Sequence, residues 1–380
     1  MKGYESLIYL DNAATTKPCP EAVSAAAKAM TECFGNPSSL HRMGLDAQLL
    51  LDSARRTVAD SLGTESGCIY FTSGATESNN LALRGASAAY GRKRKKIVAS
   101  SVEHASVEET LQALERAGFE VVRISPADGR FSAADFVNAC DDDTVLLTMM
   151  YVNNENGYIL PVPEVFSAVK RRYPHIITHT DCVQAYMKLP VSARRLNAEL
   201  ISLSGHKIHG GKGCGVLYIR KGVRVLPVVT GGGQEKGIRS GTEGVPMAAA
   251  MGAAVAALAP GISERWERAV QLREKLVSLM SEIPGVEINS PEDGSPYVMS
   301  ISAAGKRSEI MLHYLEQRDI YVSSGSACSR GAQSGVPEQF GITGKRADSI
   351  LRVSITAETT PQELEEFAQA LRDGINSVRG

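Results

Sequence analysis

The chain has no Cys-x-x-Cys pair, and its seven cysteines show no framework spacing. That pattern excludes a disulfide-stapled secreted scaffold and fits a reducing compartment. No apolar signal region opens the chain, which begins Met1-Lys2-Gly3-Tyr4-Glu5. The longest apolar stretch, Met247 to Ala259, falls well short of the ~20 residues that a membrane span needs. Formal net charge is −1, so nothing draws the molecule as a whole to nucleic acid or an anionic membrane. The only dense basic patch, Arg92-Lys93-Arg94-Lys95-Lys96, reads as a solvated turn leading into Ile97-Val98-Ala99. No internal repeat or low-complexity segment is present. The expectation is a soluble cytoplasmic protein with neither membrane nor direct nucleic-acid contact.

What the chain does hold is enough apolar residue for a sizeable core: 43% hydrophobic and 22% charged over 380 residues. That length predicts a large domain plus a smaller one. Short β-rich runs alternate with helical patterns through the first two thirds. The strands expected are Cys68–Thr72, Lys96–Ser100, Val121–Ile124, Thr144–Tyr151, Ile176–Asp181, Leu200–Ser204 and Gly215–Ile219. Several are continuous apolar runs, as in Val145-Leu146-Leu147-Thr148-Met149-Met150, which suits strands covered on both faces. With helices over Glu77–Tyr90, Val107–Ala117 and Glu164–Arg172, the fold class is α/β: a mainly parallel sheet sandwiched by helices.

The last third reads differently, as a smaller α+β unit. Ile262, Trp266, Ala269, Val270, Arg273 and Val277 start a long amphipathic helix that Pro284-Gly285 ends. Strands at Val286–Ile288 and Tyr297–Ile301 and a helix near Ser308–Arg318 follow. The final helix is announced by Thr360 as cap, Pro361 in the first turn and Glu363 three residues after the cap. A boundary falls near Ala259-Pro260-Gly261. The expected division is a large domain at 16–259 and a small domain built from 1–15 and 260–380.

Chemistry concentrates in four segments. Ser204-Gly205-His206-Lys207-Ile208-His209-Gly210-Gly211 follows a strand and is rich in small residues, so its backbone turns tightly. A lone lysine there reads as a solvated loop residue; one held at a sheet edge can form a Schiff base. The nucleotide phosphate loop is excluded, because Gly211 stands where that motif needs lysine. Asp181 ends a strand, where a carboxylate can hold a pyridinium nitrogen protonated. Thr72-Ser73-Gly74-Ala75-Thr76-Glu77-Ser78 is a strand-to-helix turn whose amides suit a phosphate. His104 follows another strand, where an imidazole can stack on a ring. His175 and His179 are spaced like metal ligands on a helix, but their segment reads as a strand, so no metal is expected.

Taken in chain order, these segments resemble the cysteine desulfurase family of the class-V aminotransferase superfamily. The resemblance runs through Tyr9-Leu10-Asp11-Asn12-Ala13-Ala14-Thr15-Thr16, Gly35-Asn36-Pro37-Ser38-Ser39-Leu40-His41, Asn153-Asn154-Glu155 and Asp181-Cys182-Val183-Gln184. It continues through Ser204-Gly205-His206-Lys207, Arg239-Ser240-Gly241-Thr242, Ser324-Gly325-Ser326-Ala327-Cys328 and Leu351-Arg352-Val353-Ser354. It implies an aminotransferase-like large domain and pyridoxal 5'-phosphate joined to Lys207. Asp181 is then the partner of the ring nitrogen, with Gln184 and Asn154 on the ring-oxygen side and His104 stacked on the ring. Ala75, Thr76, Ser204 and His206 are implied to cradle the phosphate, with Thr242 reaching in from the second subunit of a homodimer. Arg352 is implied to clamp the substrate carboxylate, Asn154 to touch substrate, and Lys207 and His104 to move protons.

The same resemblance implies L-cysteine as substrate, L-alanine as product, and Cys328 as the thiolate that takes the sulfur as a persulfide for an acceptor protein. Cys328 lies among small polar residues, as a mobile loop would. Cys19, Cys33, Cys68, Cys140, Cys182 and Cys214 read as packing or incidental thiols. A selenocysteine lyase or an aminotransferase of the same fold is the nearest rival, and a non-catalytic scaffold is the rival of another class. The last helix ends shortly before Gly380, whereas relatives dedicated to an iron–sulfur scaffold often carry a longer tail. Iron–sulfur assembly, tRNA thiolation and cofactor synthesis all stay open as destinations of the sulfur.

Overall fold

Strand β1 (Ile8–Tyr9) opens the computed structural model, which describes residues 7–303, 305–324 and 335–377. Seven strands follow: β2 (Ile69–Thr72), β3 (Lys96–Ser100), β4 (Glu120–Ile124), β5 (Thr144–Thr148), β6 (Ile177–Asp181), β7 (Leu200–Ser204) and β8 (Gly215–Ile219). They form one sheet in the order β2-β8-β7-β6-β5-β3-β4. Every residue of β5, β6, β7 and β8 is buried, which is why their sequences run apolar without alternation. Adjacent residues serve opposite faces. Val98, Leu147, Ile201 and Val216 pack into one apolar cluster, while Ile97, Leu146, Leu200 and Leu217 pack into the other.

The sheet is mixed around a parallel core. Strands β4, β3, β5, β6 and β7 are parallel, but β8 runs antiparallel to both β7 and β2. The link from β7 to β8 is a short turn, too short for the crossover that a parallel neighbour needs. Because β8 is antiparallel on both sides, β2 points the same way as the parallel core. The C-terminal ends of β2, β3, β5, β6 and β7 therefore share one edge, where open α/β folds take their ligands.

Elements differ from the sequence expectation mainly at their ends. Regular strand β5 stops at Thr148, although the amides of Met149 and Tyr151 still bond carbonyls of His179 and Asp181 before the chain turns away. Two helices that the apolar spacing had not disclosed, Pro20–Thr31 and Arg42–Leu62, pack against the helix Val245–Leu258. That last helix holds all of the longest apolar stretch but Ala259, which caps it. Gly252 on it faces Ala54 so closely that an added Cβ would lie 2.9 Å from the Ala54 Cα. Among the described residues no single helix is long and apolar enough to cross a membrane.

The last third builds a second sheet from β9 (Val286–Ile288), β10 (Val298–Ala303), β12 (Ser323–Ser324) and β13 (Ile350–Ser354), in the order β12-β13-β10-β9 and antiparallel throughout. Between them β11 (Ile320–Tyr321) pairs in parallel with β1. Ile8 and Leu10 from the N-terminus join Leu272, Leu276, Ile301, Leu351 and Phe367 in a core separate from those of the large sheet. The final helix, Pro361–Ser377, begins with a reciprocal cap: Glu363 accepts from the Thr360 amide (2.7 Å) and Thr360 Oγ1 accepts from the Glu363 amide (3.2 Å).

Candidate active site

At the shared strand edge lies a cavity of about 450 Å³. Its lining gathers Ala75 and Thr76 after β2, His104 after β3, Asn154 after β5, Asp181 and Gln184 at the end of β6, Ser204, His206 and Lys207 at the end of β7, and Arg352 from β13. Ten residues singled out from sequence thus meet in one place. Thr242 does not: it lines a smaller neighbouring cavity with Ser73, Arg239 and Glu243. Cys328 lies outside the described residues.

Lys207 closes a short 3-10 turn, Gly205–Lys207, directly after β7. Its Nζ donates to the carbonyl oxygens of Ala14 (2.8 Å) and Ala13. The amine is thereby held at the cavity wall by the N-terminal segment. That segment is itself anchored to the turn, since Thr16 bonds the His206 carbonyl through both its amide and its hydroxyl, each at 2.9 Å.

Asp181 is buried, and both carboxylate oxygens accept hydrogen bonds: Oδ1 from the Val183 amide (2.9 Å) and Oδ2 from Asn79 Nδ2 (2.8 Å). Gln184 is engaged at both ends of its amide. Nε2 donates to the Ala13 carbonyl (2.9 Å), and Oε1 accepts from Lys188 Nζ (2.9 Å). His104 caps the helix Ala105–Arg116, with Nδ1 accepting from the Ser106 amide (3.1 Å). Asn79, Ser106 and Lys188 were not singled out from sequence, and Ala13 and Ala14 entered only as part of a matching segment with no role assigned. Asn79 lies one helical turn after Thr76, and a buried polar residue at that spacing is the signal that could have found it.

The helix Ala75–Tyr90 begins at Gly74 with no side chain capping it. Glu77 is unavailable for that task, because it accepts from the Ser73 amide (2.7 Å) and from Arg239 Nε (2.7 Å). The first-turn amides of this helix stay available for an anion. Strand β8 passes close behind the turn: a Cβ on Gly215 would lie 2.4 Å from the Gly74 carbonyl carbon.

Arg352 bridges the two halves of the molecule. Nη2 donates to Asp11 Oδ1 (3.0 Å) and Nη1 to the Asn154 carbonyl (3.1 Å). Its Nε is buried and has no acceptor among the described residues. The Asn154 loop is ordered by Asn153 Oδ1, which accepts from the amides of Glu155 and Asn156. It turns at Gly157, whose φ of 75° and close approach to the Val298 carbonyl leave no room for a side chain.

Positive charge dominates the cavity. Burial, reinforced by Lys207, Lys212 and Lys188, pulls His206 down to about 4, so its imidazole is neutral. Burial likewise lowers Lys188 to about 7, with Lys207 and Arg352 adding repulsion. Such surroundings favour anions such as a phosphate and a carboxylate.

The remaining candidates fall outside this chemistry. His179 is fully buried with Nδ1 against Thr148 Oγ1 (2.8 Å) and Nε2 against Ser202 Oγ (3.0 Å), and burial drives it down to about 3. Cys182 and Cys214 are buried beside the site, and burial raises both thiols, Cys214 to about 12.

The comparisons with known proteins agree with one another. The aminotransferase class-V family matches residues 8–367. A "NifS/IcsS protein homolog" of Lactobacillus delbrueckii subsp. bulgaricus is 40% identical over 371 residues, covering 96% of each chain. "Cysteine desulfurase IscS" of Methanosarcina thermophila is 37% identical over 377 residues, covering 98% of this chain and 93% of the relative. Among solved structures, a "NIFS-LIKE PROTEIN" superposes with a TM-score of 0.93 at 33% identity, covering 98% of this chain and all of the other. "SspA in complex with cysteine" superposes with a TM-score of 0.82 at 30% identity, covering 93% of this chain and 99% of the other.

Pyridoxal phosphate fits the residues present. The uncapped helix start offers amides for its phosphate, Asp181 an anchored carboxylate for its ring nitrogen, and Lys207 an amine for its aldehyde. The buried, unpaired Nε of Arg352 offers a donor for a substrate carboxylate. On this site, and on matches that span nearly its whole length, the chain belongs to the cysteine desulfurase family of the class-V aminotransferases.

Proposed function

We propose that the protein is a cysteine desulfurase that converts L-cysteine to L-alanine and keeps the sulfur as a persulfide on Cys328. The observation that carries the reading is the meeting of Lys207, Asp181, His104 and Arg352 around one cavity of about 450 Å³. Pyridoxal phosphate, when bound there, supplies an electron sink for the charge left at the substrate α-carbon. Every other task falls to the chain. Ala75, Thr76, Ser204 and His206 would hold the phosphate, and neutral His206 would do so as a hydrogen-bond donor. Asp181 would keep the ring nitrogen protonated. Gln184 and Asn154 would border the ring oxygen, with Lys188 fixing which end of the Gln184 amide faces the cavity. His104 would cover the ring face.

Arg352 would take the substrate carboxylate on its unpaired Nε side while Asp11 and the Asn154 carbonyl hold its other nitrogens. Lys207, once free of the cofactor, would carry a proton to and from the substrate α-carbon. In the sulfur step the substrate C–S bond breaks and an S–S bond to Cys328 forms, with hydrogen replacing sulfur on the carbon. Cysteine and the enzyme thiol thus become alanine and the enzyme persulfide without any outside oxidant.

The division into a large domain at 16–259 and a small domain of 1–15 with 260–380 is supported by the separate apolar cores and by Ile8 and Leu10 packing among the C-terminal strands. A homodimer, with Thr242 delivered to the neighbouring site, is supported by apolar side chains left exposed in one stretch: Phe34, Leu40, Met43, Leu45 and Leu49. The six described cysteines are all free thiols, in keeping with the cytoplasm. An acceptor protein would receive the sulfur, for iron–sulfur clusters or another sulfur-containing product.

The test is stoichiometric. With L-cysteine and a thiol reductant, the holoprotein should release alanine and sulfide in equal amounts. The Cys328→Ala variant should retain bound cofactor yet release little sulfide. Undiminished sulfide from that variant would move the nucleophile elsewhere, and an aminated cofactor accumulating without sulfide would mark an aminotransferase.

A further inference from the structure

We propose that Asn79 and Ser106 form one positioning unit that ties the Asp181 carboxylate to the His104 imidazole and sets the hydrogen-bonding state of both. This rests on the proposed reading of the cavity as the pyridoxal phosphate site.

Asn79 is fully buried on the helix Ala75–Tyr90, one turn beyond Thr76. It spends both amide hydrogens inside the site: Nδ2 donates to Asp181 Oδ2 (2.8 Å) and to Ser106 Oγ (2.9 Å). With the Val183 amide on Oδ1, each oxygen of Asp181 therefore meets a donor, and the plane of the carboxylate is fixed toward the cavity. A flipped Asn79 would present its own oxygen to that carboxylate, so the network fixes the amide orientation as well.

Ser106 passes the ordering on to His104. Its backbone amide donates to His104 Nδ1 (3.1 Å), and an amide N–H cannot reverse its role. The neutral imidazole must then carry its hydrogen on Nε2. Ser106 Oγ lies 2.9 Å from the same Nδ1 and accepts from Asn79, leaving its own hydrogen to point along the chain toward the imidazole. The donors run in one sense, from Asn79 through Ser106 to His104. Thr110 Oγ1 anchors the Ser106 carbonyl at 2.8 Å.

Packing alone does not account for Asn79. Its Oδ1 is buried without a donor among the described residues, an omission that disfavours the amide at this place. An apolar side chain of similar volume would avoid that cost. The amide is retained where its two hydrogens join the groups that would grip the two sides of the cofactor ring.

The test uses the holoprotein and reads the absorption spectrum of bound cofactor against pH. Asn79→Leu removes the donor to Asp181 at nearly constant volume, and Ser106→Ala removes the hydroxyl that joins Asn79 to His104 while leaving the Ser106 amide on Nδ1. The apparent pKa of the chromophore should move by about one unit or more in Asn79→Leu and by less in Ser106→Ala. Ser106→Thr, which restores the hydroxyl, should return the wild-type titration. Asp181→Asn serves as the reference. If Asp181→Asn shifts the titration while Asn79→Leu and Ser106→Ala, both folded by thermal melting, leave it unchanged, the positioning role is overturned. If Asp181→Asn itself changes nothing, the assignment of Asp181 to the ring nitrogen fails first and takes this inference with it. Should Asn79→Leu not fold, the Ser106→Ala and Ser106→Thr pair decides alone.

Discussion

Glu103 adjoins His104 with its carboxyl fully buried. Oε1 accepts from the Met150 amide (2.7 Å) and from Ser100 Oγ, and Oε2 has no partner among the described residues. Burial raises the group from 4.5 to about 8, and nearby Asp181 adds to the shift. The folded protein then keeps a proton that the unfolded chain releases between those values. Stability should fall as pH rises through that window, by up to roughly 1.4 kcal/mol per unit. Glu103→Gln keeps an acceptor at Oε1 and cannot ionise, so its urea midpoint should vary less between pH 5 and 8 than that of wild type; an unchanged slope would assign the carboxyl a normal acidity. Arg352 gives the second test at this scale. Arg352→Gln should raise KM for L-cysteine roughly tenfold or more, with a smaller effect on kcat, because it removes a buried donor of carboxylate contacts. Residues with distinctive chemistry beside small-residue turns, such as Lys207 and His104, were legible in the sequence. Asn79, Ser106 and Lys188 were not, because their roles exist only once separate strands and helices converge on one edge.

Among the elements, the turn between β2 and its helix depends on β8 passing close behind it. Gly215→Ala would drive a Cβ to 2.4 Å from the Gly74 carbonyl carbon, and neither backbone segment can yield easily. The variant should lose about 1–3 kcal/mol of stability and hold its cofactor less tightly, measured by urea titration and by dialysis of the cofactor. Wild-type behaviour in both would show that the turn can move away. The buried strands were legible because burial on both faces forces continuous apolar runs. The antiparallel direction of β8 was not, since nothing in Gly215–Ile219 distinguishes the two directions; only the short link from β7 does. The helix Arg42–Leu62 escaped notice for a different reason. It buries Ala47, Leu51, Ala54, Arg55 and Val58 while exposing Leu45 and Leu49, so apolar residues on both sides blur its stripe.

At the scale of the whole molecule, that exposed apolar set is the expected dimer surface. A Leu40→Glu, Leu45→Glu double variant should run as a monomer in light scattering, with weakened cofactor retention if Thr242 serves the neighbouring site. A dimer undisturbed by both charges would place the contact elsewhere. The change from a mainly parallel to an α+β pattern in the last third was legible, but the return of Ile8 and Leu10 to the C-terminal core rests on long-range pairing with β11 and β13. The most direct test of the account is borohydride reduction of the holoprotein followed by peptide mass spectrometry. The account predicts a phosphopyridoxyl group on the peptide bearing Lys207. An adduct on Lys188 instead, or none on either lysine, would contradict it.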